Sequence, residues 1–167
     1  MAPATLSIAV VTHAPDERLL ARTLACLADA IACARDGGLV GDARLVLVDN
    51  GPDGLEPMLR QLGEAALARA TGTSLQVLSG HGNVGFGRGH NLALANARAD
   101  LHLILNPDVE MDRTALDAAV RYLAEHAEVG AITPAVRGTD GEREYLVKAY
   151  PSPGVLFVRG FVPRALR

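Results

Sequence analysis

Lysine is nearly absent from this 167-residue chain: Lys148 is the only one, and every other basic residue is an arginine. A Schiff-base lysine therefore has one candidate, and a Walker phosphate loop fails because no Gly-Lys-Ser/Thr follows the glycines. Tryptophan is missing and aromatic residues make up 4% of the sequence, which, with alanine filling much of the apolar fraction, argues for helix and against a β-sandwich. There is no basic excess. The 16 Lys and Arg against 19 Asp and Glu give a net charge of −3, so the electrostatic footprint of a nucleic-acid partner is lacking. Cys26 and Cys33 lie two turns apart in a helical pattern, too far for a disulfide, and read as small core-side residues. No run reaches the length of a membrane span, and the apolar stretch at 6–11 is too short for a signal-peptide core before charge arrives at Asp16. The expected location is cytoplasmic, with at most peripheral contact at the inner face of the membrane.

What is present suffices for one core. With 49% hydrophobic and 21% charged residues, disorder is excluded and a single domain of ordinary size is expected. Residues 6–12 (LSIAVVT) read as a buried strand. A helix follows, with Pro15 in its first turn, Asp16 and Glu17 beside it, and Leu20, Leu24, Leu27 and Ile31 on one stripe up to Gly37 and Gly38. Residues 44–49 (RLVLVD) form a second strand, closed by the turn 50–54. A helix carrying Leu55, Met58, Leu59 and Leu62 comes next. Residues 74–79 (SLQVLS) are the third strand, followed by a glycine-dense stretch at 80–89 and a helix from about His90 to Arg98. Residues 101–105 (LHLIL) are the fourth strand, which Pro107 ends. Asp112 is placed to cap a helix bearing Leu116, Val120 and Leu123, and 129–136 read as a fifth strand. Strand-helix alternation with nearly continuous apolar strands specifies an α/β fold, a mostly parallel sheet flanked by helices.

In such sheets ligands bind beyond the carboxyl ends of the strands. The residues there are Thr12 and His13, Asp49 and Asn50, the stretch 80–89, and 106–110. Of five histidines, His13, His81 and His90 fall in this crevice, none with metal-ligand spacing. Gly80, Gly82 and Gly85 satisfy G-x-G-x-x-G, but the turn follows the third strand and Asp100 precedes its strand, so a dinucleotide site is a weak alternative. The glycines at 85, 87 and 89 instead allow backbone to approach a phosphate or sugar, with Arg88 adding charge; a flexible turn without ligand competes. Asn106, Asp108 and Glu110 offer the oxygen ligands that Mg²⁺ or Mn²⁺ takes on a diphosphate, against the simpler reading of a strand end leading into a helix. Asp49 and Asn50 suit a base or ribose, or else a local turn.

The order of these pieces resembles the family 2 glycosyltransferases of GT-A type, particularly the rhamnosyltransferase-like branch. The resemblance rests on SIAVVTHAPDERLLARTLACL, LVLVDNGPDG, GNVGFGRGHNLALANARAD and LILNPDVEMD, and runs from about Ser7 to Val136. It implies a Rossmann-like, nucleotide-diphospho-sugar transferase fold whose donor-binding domain spans 1–136, with 137–167 an extension that starts the acceptor-binding portion. Thr12 and His13 would border the nucleotide and Asp49 would contact the base, with Asn50 beside it. Asn83, Gly85, Phe86, Gly87 and Asn91 would line the diphosphate and sugar. Asn106-Pro107-Asp108 occupies the family's Asp-x-Asp position, making Asp108 the metal ligand, Glu110 the second candidate, and Asn106 a ribose or metal-water contact.

The implied reaction is metal-assisted, inverting transfer of a sugar, with rhamnose from a dTDP donor the leading candidate, to a saccharide or lipid-linked acceptor. No residue matches the family's catalytic base, and most of the acceptor half is expected to be absent, so transfer by this chain alone is expected to be weak. A non-catalytic nucleotide-sugar-binding module is the first alternative and a nicotinamide-dependent oxidoreductase the second. The apolar tail at 151–167 either packs on the chain's own sheet or is a candidate for a homodimer contact or for contact with a membrane interface.

Overall fold

Alternation along 4–12 sends Leu6, Ile8 and Val10 to one side and Ala9 and Val11 to the other, all buried. Two apolar faces are what an interior strand of a parallel sheet requires. In the computed structural model, which describes residues 2–52, 54–95, 97–138 and 140–144, this run is strand β1 (Ala4–Thr12). The Asp16 carboxylate caps helix α1 (Glu17–Asp36), accepting from the N–H groups of Arg18 and Leu19 at 2.9 and 3.0 Å. Pro15 thus precedes the cap instead of entering the first turn, because a side-chain acceptor serves the orphan donors better. Gly37 and Gly38 end α1 as the sequence indicates, Gly38 at φ 70°. Strand β2 (Val40–Asp49), helix α2 (Glu56–Leu67), strand β3 (Thr73–Leu78), helix α3 (Phe86–Leu94), strand β4 (Leu101–Leu105) and helix α4 (Ala115–Glu125) follow.

All four strands are parallel, in the order β3-β2-β1-β4. The chain steps outward from β1 to β2 and β3, then returns to the far side of β1 for β4. The strand order therefore reverses between β1 and β4, where an open α/β sheet forms its crevice. Helices α1, α2 and α4 bury Leu20, Leu24, Leu27, Ile31, Leu59, Leu116 and Val120 against Ile8, Val10, Leu45 and Leu47 on one face. On the other face α3 sets Ala93 on Ala9, Val11, Val46 and Val48.

Three further expectations fail. Residues 129–135 form no strand, since Pro134 cannot donate to a ladder and Gly130 gains nothing by extending. The strand that does form is Val136–Arg137, paired antiparallel with Arg143–Glu144. It belongs to a second compact unit that begins at Ala131, the sheet described above lying within 1–130. Helix α3 starts at Phe86 and not near His90, so Gly87 and Gly89 are helical. Asp112 accepts from the N–H and hydroxyl of Thr114 at 2.8 and 2.6 Å, closing the turn before α4 without capping its first turn. Asp53, Lys148 and the tail at 151–167 lie outside the described residues. Among those described, no helix is long and apolar enough to cross a membrane.

Candidate functional site

Parallel register brings the strand ends together: Thr12 pairs with Asp49 and Val10 with Leu105. Thr12 is fully buried and gives its hydroxyl to the Val48 carbonyl at 3.3 Å. His13 is exposed, its Nδ1 held at 2.9 Å by the carbonyl of Asn50. The next residue, Ala14, sits at φ 46°, a conformation non-glycine residues rarely adopt. Gly51 makes room for that turn, because a Cβ there would come within 3.1 Å of the Ala14 nitrogen. Asp49 is 5% exposed and takes the Gly51 N–H on Oδ1 at 2.9 Å, while no bond within the described protein engages Oδ2.

Gly85, at φ 83°, occupies the position before the first turn of α3, and no side chain caps that turn. Asn83 reaches forward instead, its Oδ1 accepting the Gly85 N–H at 2.9 Å. The Phe86 ring is 54% exposed and meets His90 edge-on with centroids 4.5 Å apart. Gly87 and Asn91 are exposed on the same helix, Gly87 with open space where a Cβ would stand. Gly89 differs: its Cβ would lie 2.9 Å from Val11 and 3.1 Å from the Asn50 amide, so this glycine lets the helix settle on the sheet. His90 is likewise turned inward and not into the crevice, 5% exposed with no partner for either ring nitrogen. Burial, and then the neighbouring His102, push the His90 imidazole below its ordinary pKa.

Beyond β4, Thr23 of α1 donates to the Pro107 carbonyl at 2.9 Å, and the half-buried Val109 and Met111 pack against the core. This anchors the turn while leaving Asn106 and Asp108 exposed, with no hydrogen bond or ion pair within the described residues. Glu110 is taken up by Arg22 at 2.5 Å. On the other side, Asp49, Gly51, Gly54, Glu56, Ser79 and Gly80 line a cavity of about 260 Å³. That is under the roughly 300–1,000 Å³ of pockets for drug-sized ligands and suits a single ring system. The Ser79 hydroxyl donates to Glu56 at 2.6 Å and Arg60 approaches at 2.8 Å, holding the Glu56 carboxyl below its ordinary pKa. Ser79 reads in sequence as the last residue of the strand at 74–79 and follows β3, which ends at Leu78. Glu56 gives no signal beyond an acid in a first helical turn.

A sequence model of glycosyl transferase family 2 matches residues 7–159. The chain belongs to glycosyltransferase family 2. A search of curated proteins gave no match. Among solved structures, S. aureus TarS 1–349 is similar with a TM-score of 0.53 and 19% identity over 74% of this chain. The chain spans 33% of the length of that structure, and at this identity the likeness shows the fold alone. The nicotinamide alternative has no glycine turn where it needs one, since β1 of this family 2 chain runs into Thr12-His13-Ala14.

The family's divalent metal can be tested against the oxygens at hand. Among the described residues no group of three or more His, Cys, Asp or Glu converges on one point. An all-protein cage is therefore not what these residues build. A site completed by substrate phosphates and water needs only one or two carboxylates, and the uncommitted Asp108, with the Asn106 carbonyl two residues away, fits that description. Glu110, held by Arg22, fits less well.

Proposed function

We propose that this chain binds a nucleoside-diphosphate sugar across the carboxyl ends of β2, β1 and β4 and supplies the donor side of an inverting glycosyl transfer. The observation that carries the reading is the buried Asp49 carboxylate, which lines the cavity with one oxygen uncommitted. That oxygen suits a ring N–H of the base. Asp108 stands two strands away, about 10 Å at sheet spacing, the scale on which a nucleoside separates base from diphosphate. Gly85, Phe86, Gly87 and Asn91 lie between as the lining for diphosphate and sugar. Asp108 would hold the divalent cation and Asn106 a ribose hydroxyl or a cation-bound water. Such a cation, when bound, neutralises charge developing on the leaving diphosphate. A deoxyhexose such as rhamnose, carried by dTDP, is the proposed sugar, and a saccharide or lipid-linked hydroxyl the acceptor.

Donor binding without transfer is the second reading, and one observation favours it. Between β4 and α4 the carboxylates other than Asp108 are engaged, Glu110 by Arg22 and Asp112 by Thr114, so neither stands ready as the base an acceptor hydroxyl requires. Titration with UDP and dTDP, with and without Mn²⁺, tests both. Binding strengthened by Mn²⁺ in the parent protein and insensitive to Mn²⁺ in Asp108→Ala is the expected result. NADH binding that ignores Asp108, with no binding of either nucleoside diphosphate, would overturn it. Sugar transfer or donor hydrolysis by the isolated chain then separates the two readings.

A further inference from the structure

Asn50 is 2% exposed, and every one of its polar groups has a partner inside the protein. Its N–H donates to the Thr12 carbonyl at 2.8 Å and its own carbonyl meets His13 Nδ1 at 2.9 Å. In the side chain, Nδ2 donates to the Gly85 carbonyl at 3.0 Å and Oδ1 meets His81 Nε2 at 3.1 Å. These bonds fix the chemistry of the groups around them. A carbonyl cannot donate, so the amide nitrogen must face Gly85 and the amide oxygen must face His81. His81 then carries its proton on Nε2, and His13, facing another carbonyl, carries one on Nδ1. One residue thereby ties together the ends of β1 and β2, the loop after β3 and the start of α3.

We infer that Asn50 is a positioning residue, which through His81 and Gly85 presets the loop 80–85 for the donor and does not itself touch the nucleotide. This rests on the donor-binding reading above. A ligand approaching Asn50 would have to displace a bond already made, whereas Asp49 and Asp108 present oxygens that are free. The loop has few other anchors: Gly80, Gly82 and Gly85 all take positive φ, and a Cβ at any of them would meet open space. Such a segment samples many conformations unless a side chain holds it, and each unproductive one lowers apparent affinity.

The test is a double-mutant cycle read by titration with UDP and dTDP, alongside thermal melting. His81→Leu removes the donor to Asn50 and is expected to weaken binding of both nucleotides about tenfold. His81→Gln, whose amide nitrogen reaches the place of Nε2, should bind like the parent. Asn50→Ala should lose at least as much as His81→Leu, and the double variant no more than Asn50→Ala, since both break one linkage. The half-buried His81 keeps the test usable if Asn50→Ala does not fold. In the parent, imidazole ¹⁵N shifts should report the Nε2–H form of His81 and the Nδ1–H form of His13. Parent-like affinity in His81→Leu, losses that add in the double variant, or the opposite tautomer at His81 would overturn the inference while leaving the donor reading intact. Failure of the parent protein to bind either nucleotide would overturn both.

Discussion

Glycines 87 and 89 differ by two positions and by everything that matters physically. The Cβ of an alanine at 89 would press on Val11, itself buried in β1, and on the Asn50 amide, whose bonds leave it no room to yield. Gly89→Ala is expected to destabilise the protein by about 1–3 kcal/mol, the range for overpacking a core. At 87 nothing lies within 4 Å, and the helical backbone gains from losing glycine's freedom. Gly87→Ala should therefore be neutral or stabilising by up to about 1 kcal/mol. Urea denaturation of the two variants checks both signs. On the proposed function, Gly87→Ala should nevertheless weaken nucleotide binding, because this glycine faces the open side where the donor approaches. A variant more stable and less able to bind would separate the packing role of one glycine from the access role of the other.

Elements rather than single residues decide what was readable in advance. The apolar runs at 6–12, 44–49, 74–79 and 101–105 became β1 to β4 with ends displaced by a few residues, since burial on both faces leaves such runs little else to be. The glycine-rich stretch misled about α3, because Gly87 and Gly89 look like breakers until the sheet beneath supplies a reason to coil. The run 129–136 has strand composition, but only Val136 joins a strand, Pro134 interrupting the rest. Of the site, the strand-end residues were located by topology. The linkages made by Asn50, Glu56 and Arg22 were not, because they depend on which side chains meet across loops. Arg35 is a further case. From the last turn of α1 it donates to the carbonyls of Gly41, Thr71 and Gly72 and to the Thr73 hydroxyl, tying α1 to the starts of β2 and β3. Arg35→Ala is expected to lower stability by about 1.5–3 kcal/mol, as for hydrogen bonds made by a charged group. Arg35→Lys should recover only a minor part, since one ammonium cannot span the acceptors a planar guanidinium does. Thermal melting of the pair measures the difference.

Across the whole sheet unit, polar groups are unevenly placed. On the face covered by α3 the ring nitrogens of His90 and of the half-buried His102, and the Ser7 hydroxyl, are buried without hydrogen-bond partners, and Ser7 pairs with His102 in the ladder. Arg44 stands in register with Ser7 on the other side and bonds Gln76. Burial lowers the pKa of both imidazoles from the ordinary 6.5, and His102 depresses His90 further. The sign follows from proton counting: below 6.5 the unfolded chain binds protons that the folded chain refuses, so stability is full above that pH and falls as pH decreases towards the folded-state values. Glu56, Asp100 and Asp112 are lowered from 4.5, 3.8 and 3.8, chiefly by hydrogen bonds from Ser79, Thr5 and Thr114. Their contribution is lost only at lower pH, and because they are exposed it is small. Urea midpoints measured against pH should therefore show a plateau above neutrality, a first descent starting near 6.5 and a weaker second one in the carboxylate range. His90→Phe with His102→Leu should flatten the first descent and leave the second. A first descent that survives both substitutions would place the proton uptake elsewhere. Because α3 carries residues 86–91 of the proposed donor site, loosening of that helix on acidification should weaken nucleotide binding before the sheet itself unfolds.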